Sequence, residues 1–153
     1  SDIELPSPQT MYCSEFSQTV DKFDDKKTTY TRLSSGGLSF IKVEQNEEVI
    51  IYLKFGTTGS TLNVNEKGAM FIFENGEKYS FQDAEIDVKV DDNSKWMYSI
   101  FVRLSDEEIK LFTKSPISDA KLYVYTAEYN TEYTEKWRQE LICLINDTYK
   151  AKS

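Results

Sequence analysis

The sequence predicts an α+β domain: a mostly antiparallel β-sheet of about seven or eight strands, one short helix, and a C-terminal helix packed on the sheet. Three observations carry that prediction. Apolar and polar residues alternate in short runs between residues 38 and 104, Ser105 and Glu108 have the spacing of a helix start, and an apolar stripe of helical period follows Thr131.

Taken in order, residues 1–8 contain Pro6 and Pro8 and little apolar material, so they read as a flexible leader, with one domain spanning residues 9–150. In residues 11–31 the apolar Met11, Phe16, Val20 and Phe23 are interrupted by Asp24-Asp25-Lys26-Lys27, which leaves room for one or two irregular strands. After Gly36-Gly37, Leu38, Phe40 and Lys42 alternate with Ser39, Ile41 and Val43. A polar turn at Gln45-Asn46-Glu47 leads into Val49, Ile51, Leu53 and Phe55, with Glu48, Ile50, Tyr52 and Lys54 on the opposite face. The two runs make a hairpin. Residues 56–59 read as a loop, and Leu62 with Val64 as a short edge strand. Residues 69–73 and 78–81 flank Asn75-Gly76, a pair suited to a type I′ turn because both residues tolerate positive φ. Ile86, Val88 and Val90 form a strand with one wet face. Trp96, Tyr98, Ile100, Val102 and Leu104 then line one side of a long strand, against Met97, Ser99, Phe101 and Arg103.

At Ser105 the period changes. Ser105 and Glu108 form a capping box, Asp106 and Glu107 suit the positive end of a helix, Ile109 and Phe112 share a face, and Ser115-Pro116 stops the element. Ala120, Leu122 and Val124 alternate with Lys121, Tyr123 and Tyr125, a strand whose second face is rich in tyrosine. The final helix covers residues 131–149, with Tyr133, Trp137, Leu141, Leu144 and Ile145 in one stripe. Cys143 lies off the centre of that stripe, where it is either exposed or covered by another segment, and the segment carrying Cys13 is one candidate cover.

A formal net charge of −8 makes a phosphate backbone a poor partner, since non-specific nucleic-acid binding rests on Lys and Arg neutralising phosphates. No apolar run has the length of a membrane-spanning helix. The opening Ser1-Asp2 fits a processed or trimmed chain, so a leader or lipid anchor upstream is compatible with it. Cys13 and Cys143 are far from any metal-ligand or redox spacing. They are either two separate buried thiols or a disulfide, and a disulfide closing so long a loop is worth roughly 4–5 kcal/mol on chain-entropy grounds.

Catalytic signals are sparse. The chain has no histidine, which removes Ser-His and Cys-His nucleophile pairs. Residues 56–60, Gly-Thr-Thr-Gly-Ser, have the composition of a phosphate loop but lack the Walker spacing and lysine. Asp24-Asp25, Glu47-Glu48 and Asp91-Asp92 are formal candidates for carboxylate acid/base work, yet sequence neighbours on a turn point apart into solvent. Asp91, Asp92 and Asn93 suit calcium by chemistry but miss the EF-hand spacing, so neither a metal nor a cofactor is expected. The aromatic residues Tyr123, Tyr125, Tyr129 and Tyr133 are the candidate binding residues, as a strip that stacks on sugar rings or anchors a protein; the competing expectation is burial beneath the terminal helix.

The run from Tyr98 through Leu104-Ser105-Asp106-Glu107-Glu108 and Ser115-Pro116-Ile117 to Lys121-Leu122-Tyr123-Val124-Tyr125, with residues 68–81 before it, resembles small uncharacterised exported domains, often lipoproteins, common in Bacteroidetes. The likeness covers about two-thirds of the chain, rests on structural motifs, and lacks the lipobox cysteine. It implies a periplasmic or cell-surface location and transfers no catalytic residue. Two functions follow as expectations: a non-enzymatic exported module contacting a protein or glycan, or a carboxylate-based, glycosidase-like hydrolase in the same compartment.

Overall fold

The computed structural model describes residues 13, 16–31, 37–91, 93–147, 149 and 151–152. The strands are β1 (Phe16–Val20), β2 (Lys27–Tyr30), β3 (Leu38–Gln45), β4 (Glu48–Gly59), β5 (Lys67–Phe73), β6 (Lys78–Glu85), β7 (Asp87–Val90) and β8 (Trp96–Arg103). After α1 (Asp106–Lys114) come β9 (Ile117–Leu122), β10 (Tyr125–Glu128), α2 (Thr131–Asn146) and the short β11 (Ala151–Lys152). The α+β class and the C-terminal helix stand as expected, but the strands are more numerous and fall into two sheets. One has the order β1-β2-β3-β4-β8-β7, extended beyond β1 by β11, and the other β10-β9-β5-β6. Every pairing is antiparallel except that of β1 with β11.

The first sheet is built by meander. β3 pairs with β4 from Leu38↔Phe55 to Gln45↔Glu48, and β4 pairs in turn with β8 from Tyr52↔Arg103 to Gly59↔Trp96. Strand β5 does not join them, because its two edges are taken by β6 and β9. So β8 and β9 lie in different sheets, and α1 bridges the sheets instead of crossing over one of them.

The gain from two sheets is a shared aromatic core. Phe112 on α1 meets Phe40 of the first sheet at 6.1 Å between ring centroids, and Phe71, Phe73 and Phe81 of the second at 5.3, 5.2 and 6.2 Å. Phe55 meets Phe71 directly at 5.3 Å. Most of these are edge-to-face contacts, the arrangement in which positive ring edges meet negative faces. Helix α1 starts with the full capping box: Glu108 N donates to Ser105 Oγ at 3.2 Å and Ser105 N to Glu108 Oε1 at 2.8 Å. The other Glu108 oxygen accepts from the Tyr79 hydroxyl, which pushes the Tyr79 pKa up to about 12 and ties the helix start to β6.

Several side-chain hydrogen bonds among the described residues hold helix α2 in place. Thr134 Oγ1 donates to Ile117 O at 2.6 Å, Arg138 Nη1 to Thr113 O at 2.7 Å, and Lys42 Nζ to Leu144 O at 3.0 Å. Lys42 is 2% exposed on the inner face of β3, and its ammonium also reaches Asp147 and the Tyr149 ring, so it satisfies the carbonyl end of the helix from inside the protein. Trp137, Leu141 and Leu144 are buried as the stripe requires, but so are Ile142 and Cys143.

Several local expectations give way to better partners. Residues 56–59 continue β4 because β8 is long enough to pair with them. Leu62 and Val64 are exposed residues of a loop held by side chains, in which Asn63 N donates to Tyr98 Oη at 3.0 Å. The loop after Phe73 has only Gly76 at positive φ, and Gly76 N donates to Phe73 O. It is therefore a type I turn closed by a left-handed glycine, not a type I′ turn. Helix α2 ends at Asn146, where Asp147 turns left-handed at φ 55°. The proposed leader, residues 1–8, lies outside the described residues.

Candidate functional site

The largest correction concerns the tyrosines. The strand expected to run through residues 120–125 breaks after Leu122, because Leu122 pairs with Tyr125 across a two-residue turn. Tyr123 takes a positive φ of 56° at that turn and Val124 is exposed. Tyr123 and Tyr125 therefore do not share a strand face. Tyr125 stacks on Tyr98 at 5.1 Å, and its hydroxyl accepts from Asn63 Nδ2 at 3.0 Å and donates to Thr61 O at 3.2 Å. Tyr129 and Tyr133 instead meet Trp137 edge-on at 5.1 and 5.7 Å. Burial, then the neighbouring Tyr133, pushes Tyr129 up to about 12. All four residues are half-buried, and Tyr125 on one side and Tyr129 with Tyr133 on the other belong to separate clusters rather than one strip.

Cys13 and Cys143 form a disulfide with Cα atoms 5.5 Å apart. The segment carrying Cys13 is thus bonded to Cys143, which is fully buried on α2.

An aromatic pair with one exposed ring, Phe101, and one half-buried ring, Tyr52, stands elsewhere, on the outer face of the first sheet. Tyr52 on β4 and Phe101 on β8 stack with centroids 4.7 Å apart and planes 16° from parallel. Their positions follow from the register: Tyr52 pairs with Arg103 and Lys54 with Phe101, so the two rings are diagonal neighbours on one face. Phe101 is 56% exposed. It forms one wall of a cleft of about 670 Å³ where β6 turns into β7, lined also by Asp83, Glu85, Asp87, Lys54 and Ser99. The volume is in the range of small-molecule sites. The signal was present in the sequence as two large aromatic residues, Tyr52 and Phe101, on the wet faces of alternating strands.

Among the described residues no group of His, Cys, Asp or Glu is arranged to hold a metal ion. The carboxyl groups of Glu77 and Glu135 are held below the ordinary carboxylate range. Glu77 is lowered by the hydrogen bond from Lys114, and Glu135 by the bidentate bond from Arg138, whose Nε and Nη2 each lie 2.7 Å from a carboxylate oxygen. Glu135 and Arg138 line a second cleft of about 580 Å³ between α1, α2 and the β5–β6 turn. That ion pair satisfies both groups, and it fixes Arg138 against the end of α1. Of the sequence-neighbour pairs, Asp24 and Asp91 accept from nearby backbone amides as ordinary turn residues do. Asp92 lies outside the described residues. No helix among the described residues is long and apolar enough to cross a membrane.

The chain matches no protein-family model, no curated protein and no solved structure. Function has to be argued from the cleft itself.

Proposed function

We propose that the protein is an exported, non-enzymatic binding module that holds a glycan in the cleft beside Phe101. The observation that carries this reading is the stacked Tyr52–Phe101 pair, with Phe101 exposed at the wall of a cleft that also presents Asp83, Glu85, Asp87, Lys54, Lys89 and Ser99 beside the apolar Ala84, Ile86 and Val102. The C–H groups on one face of a pyranose ring are slightly positive and meet the negative face of an aromatic ring, while its hydroxyls need donors and acceptors around them. Asp83, Glu85 and Asp87 supply acceptors, and Lys54 and Ser99 supply donors. Tyr52 covers one face of the Phe101 ring and leaves the other for the sugar.

Glycoside hydrolysis is the second reading, and it would need two of the cleft carboxylates Asp83, Glu85 and Asp87 to face each other across the bound sugar. Export is supported by the Cys13–Cys143 disulfide, since such bonds persist in oxidising compartments and are rare in the cytosol. The resemblance to exported lipoprotein domains points the same way, with any lipid anchor lying upstream of Ser1. A net charge of −8 supports the reading that nucleic acid is not a partner.

The test is calorimetric titration with soluble β-glucan, xylan and chitin oligosaccharides. One of these classes should bind, and Phe101→Ala should weaken it at least tenfold while Tyr133→Ala leaves it unchanged. Binding indifferent to Phe101→Ala would move the site, and no binding to any of the three would sink the glycan reading.

A further inference from the structure

The cleft beside Phe101 opens onto a sheet face that carries neither helix. Phe40 and Lys42 of β3 point to the inner face, where Phe112 of α1 meets Phe40 and Leu144 O of α2 accepts from Lys42. Ile41 and Val43 alternate with them and point outward. Register carries that outward position across the sheet. Tyr30 on β2 pairs with Ile41, Ile41 with Tyr52 on β4, and Tyr52 with Arg103 on β8. These four residues form one line across the strands, and Phe101 stands one row away, stacked on Tyr52.

The line has the shape of a track. Ile41 is only 6% exposed between the two tyrosines, and the next row toward the β3–β4 turn, Thr28, Val43 and Ile50, is half-buried, so the middle of the track is low and largely apolar. Its ends stand out. Phe101 is 56% exposed at one end and Tyr30 39% exposed at the other, and the Tyr30 ring and hydroxyl have no partner among the described residues. Arg103, exposed near Phe101, forms no ion pair among the described residues. From Phe101 to Tyr30 the track leans toward the β3–β4 turn, away from the chain that joins β2 to β3. It spans three strand spacings, roughly 14 Å, which is about three sugar units of an extended β-1,4-linked chain.

We infer that the glycan site continues from the cleft along this track to Tyr30, and that its ligand is a linear, extended chain of about four or more sugars. The inference rests on the glycan reading of the Phe101 cleft and adds to it the length and shape of the ligand. One sugar stacks on Phe101, and another lays its C–H face on the Tyr30 ring in the same way. The sugars between them lie over Tyr52 and the half-buried row, where the Tyr52 hydroxyl and the Arg103 guanidinium meet their edge hydroxyls. A coiled or branched glycan leaves the sheet before it reaches Tyr30, so the two rings together select a straight chain.

The test is a nuclear magnetic resonance titration of the intact, oxidised protein with linear β-1,4-linked gluco-, xylo- and chito-oligosaccharides, from disaccharide to hexasaccharide. Affinity should rise with length, and Tyr30→Ala should weaken the hexasaccharide about tenfold while leaving the disaccharide unchanged. Tyr30→Phe keeps the ring and should keep the gain, whereas Phe101→Ala should weaken every length. A longer chain also gains from its extra binding registers, but that gain survives Tyr30→Ala, so only the part that depends on Tyr30 counts. A hexasaccharide indifferent to Tyr30→Ala, or a loss equal at all lengths, overturns the inference and leaves the cleft reading to Phe101→Ala. No binding at any length, or binding indifferent to Phe101→Ala, overturns both. If Tyr30→Ala alters sedimentation and not the titration, the face belongs to a second copy of the chain and the inference falls. If Tyr30→Ala does not fold, saturation transfer on the wild type decides the matter: from the Tyr30 ring it should reach the hexasaccharide and not the disaccharide, and its absence from both overturns the inference.

Discussion

Removing the disulfide is the perturbation whose magnitude follows most directly from the structure. Cys13 and Cys143 are separated by 130 residues, so the bond closes a loop that includes every strand of both sheets except β11, and nearly all of α2. In the chain-entropy treatment, closing a loop of that length removes about 17 cal/mol/K from the unfolded ensemble, or about 5 kcal/mol at room temperature. Globular proteins unfold with about 2.1 cal/mol/K per residue, which for this chain makes 5 kcal/mol equivalent to a fall of roughly 15 °C in Tm. Alanine is the right replacement at both positions, because Cys143 is fully buried and a serine hydroxyl there would need a partner. Scanning calorimetry of the Cys13→Ala/Cys143→Ala double variant against the oxidised protein measures the effect, and a reductant should bring the wild type to the same Tm. A drop under about 3 °C would refute the entropic argument. It would mean that the loop is already constrained in the unfolded state, or that the bond does not form.

Three further outcomes are expected. Phe112→Ala should cost about 3–5 kcal/mol in urea unfolding, because one ring contacts both sheets and nothing nearby collapses to replace it; a loss under about 1.5 kcal/mol would mean the sheets pack without it. Ser105→Ala should cost about 1 kcal/mol, and Glu108→Ala more, since Glu108 accepts from both Ser105 N and the Tyr79 hydroxyl; equal losses in thermal melts would show that the Tyr79 bond adds nothing. The protein should lose stability in alkali. Tyr129 ionises near pH 10 when unfolded and about 12 when folded, and burial lowers but bonds to Asp147 and Tyr149 more than restore Lys42 above its ordinary 10.5. Both contributions are intact below about pH 10 and vanish as pH rises through the folded values. Tyr129→Phe should flatten that decline in Tm between about pH 9 and 11.5, and an unchanged slope would contradict the assignment.

What the sequence made legible is what local rules control. The capping box at Ser105, the β3–β4 alternation and the α2 stripe through Trp137, Leu141 and Leu144 depend on neighbours a few residues away, and the structure has them. Even the inward placement of Lys42 follows from alternation with Leu38 and Phe40. The partition into two sheets was not legible, because it depends on β5 choosing β9 as partner rather than β4. The break at Tyr123 was hidden for a related reason: neither Tyr nor Val announces a turn, and the long-range pairing of β9 with β5 leaves β10 free to fold back. The tyrosine strip dissolved with that strand. Tyr52 and Phe101 stood in the sequence as wet-face aromatics on two strands, but seeing them as a pair required the β4–β8 register.

The central claim is that a sugar ring sits against Phe101. Nuclear magnetic resonance of the aromatic side chains, recorded while the tightest-binding oligosaccharide is added, tests it most directly. The account requires the Phe101 and Tyr52 ring signals to shift first and most, with upfield ring-current shifts on the protons of the bound sugar. Shifts centred on Tyr125 or on the Tyr129–Trp137 cluster, with Phe101 unmoved, would contradict it.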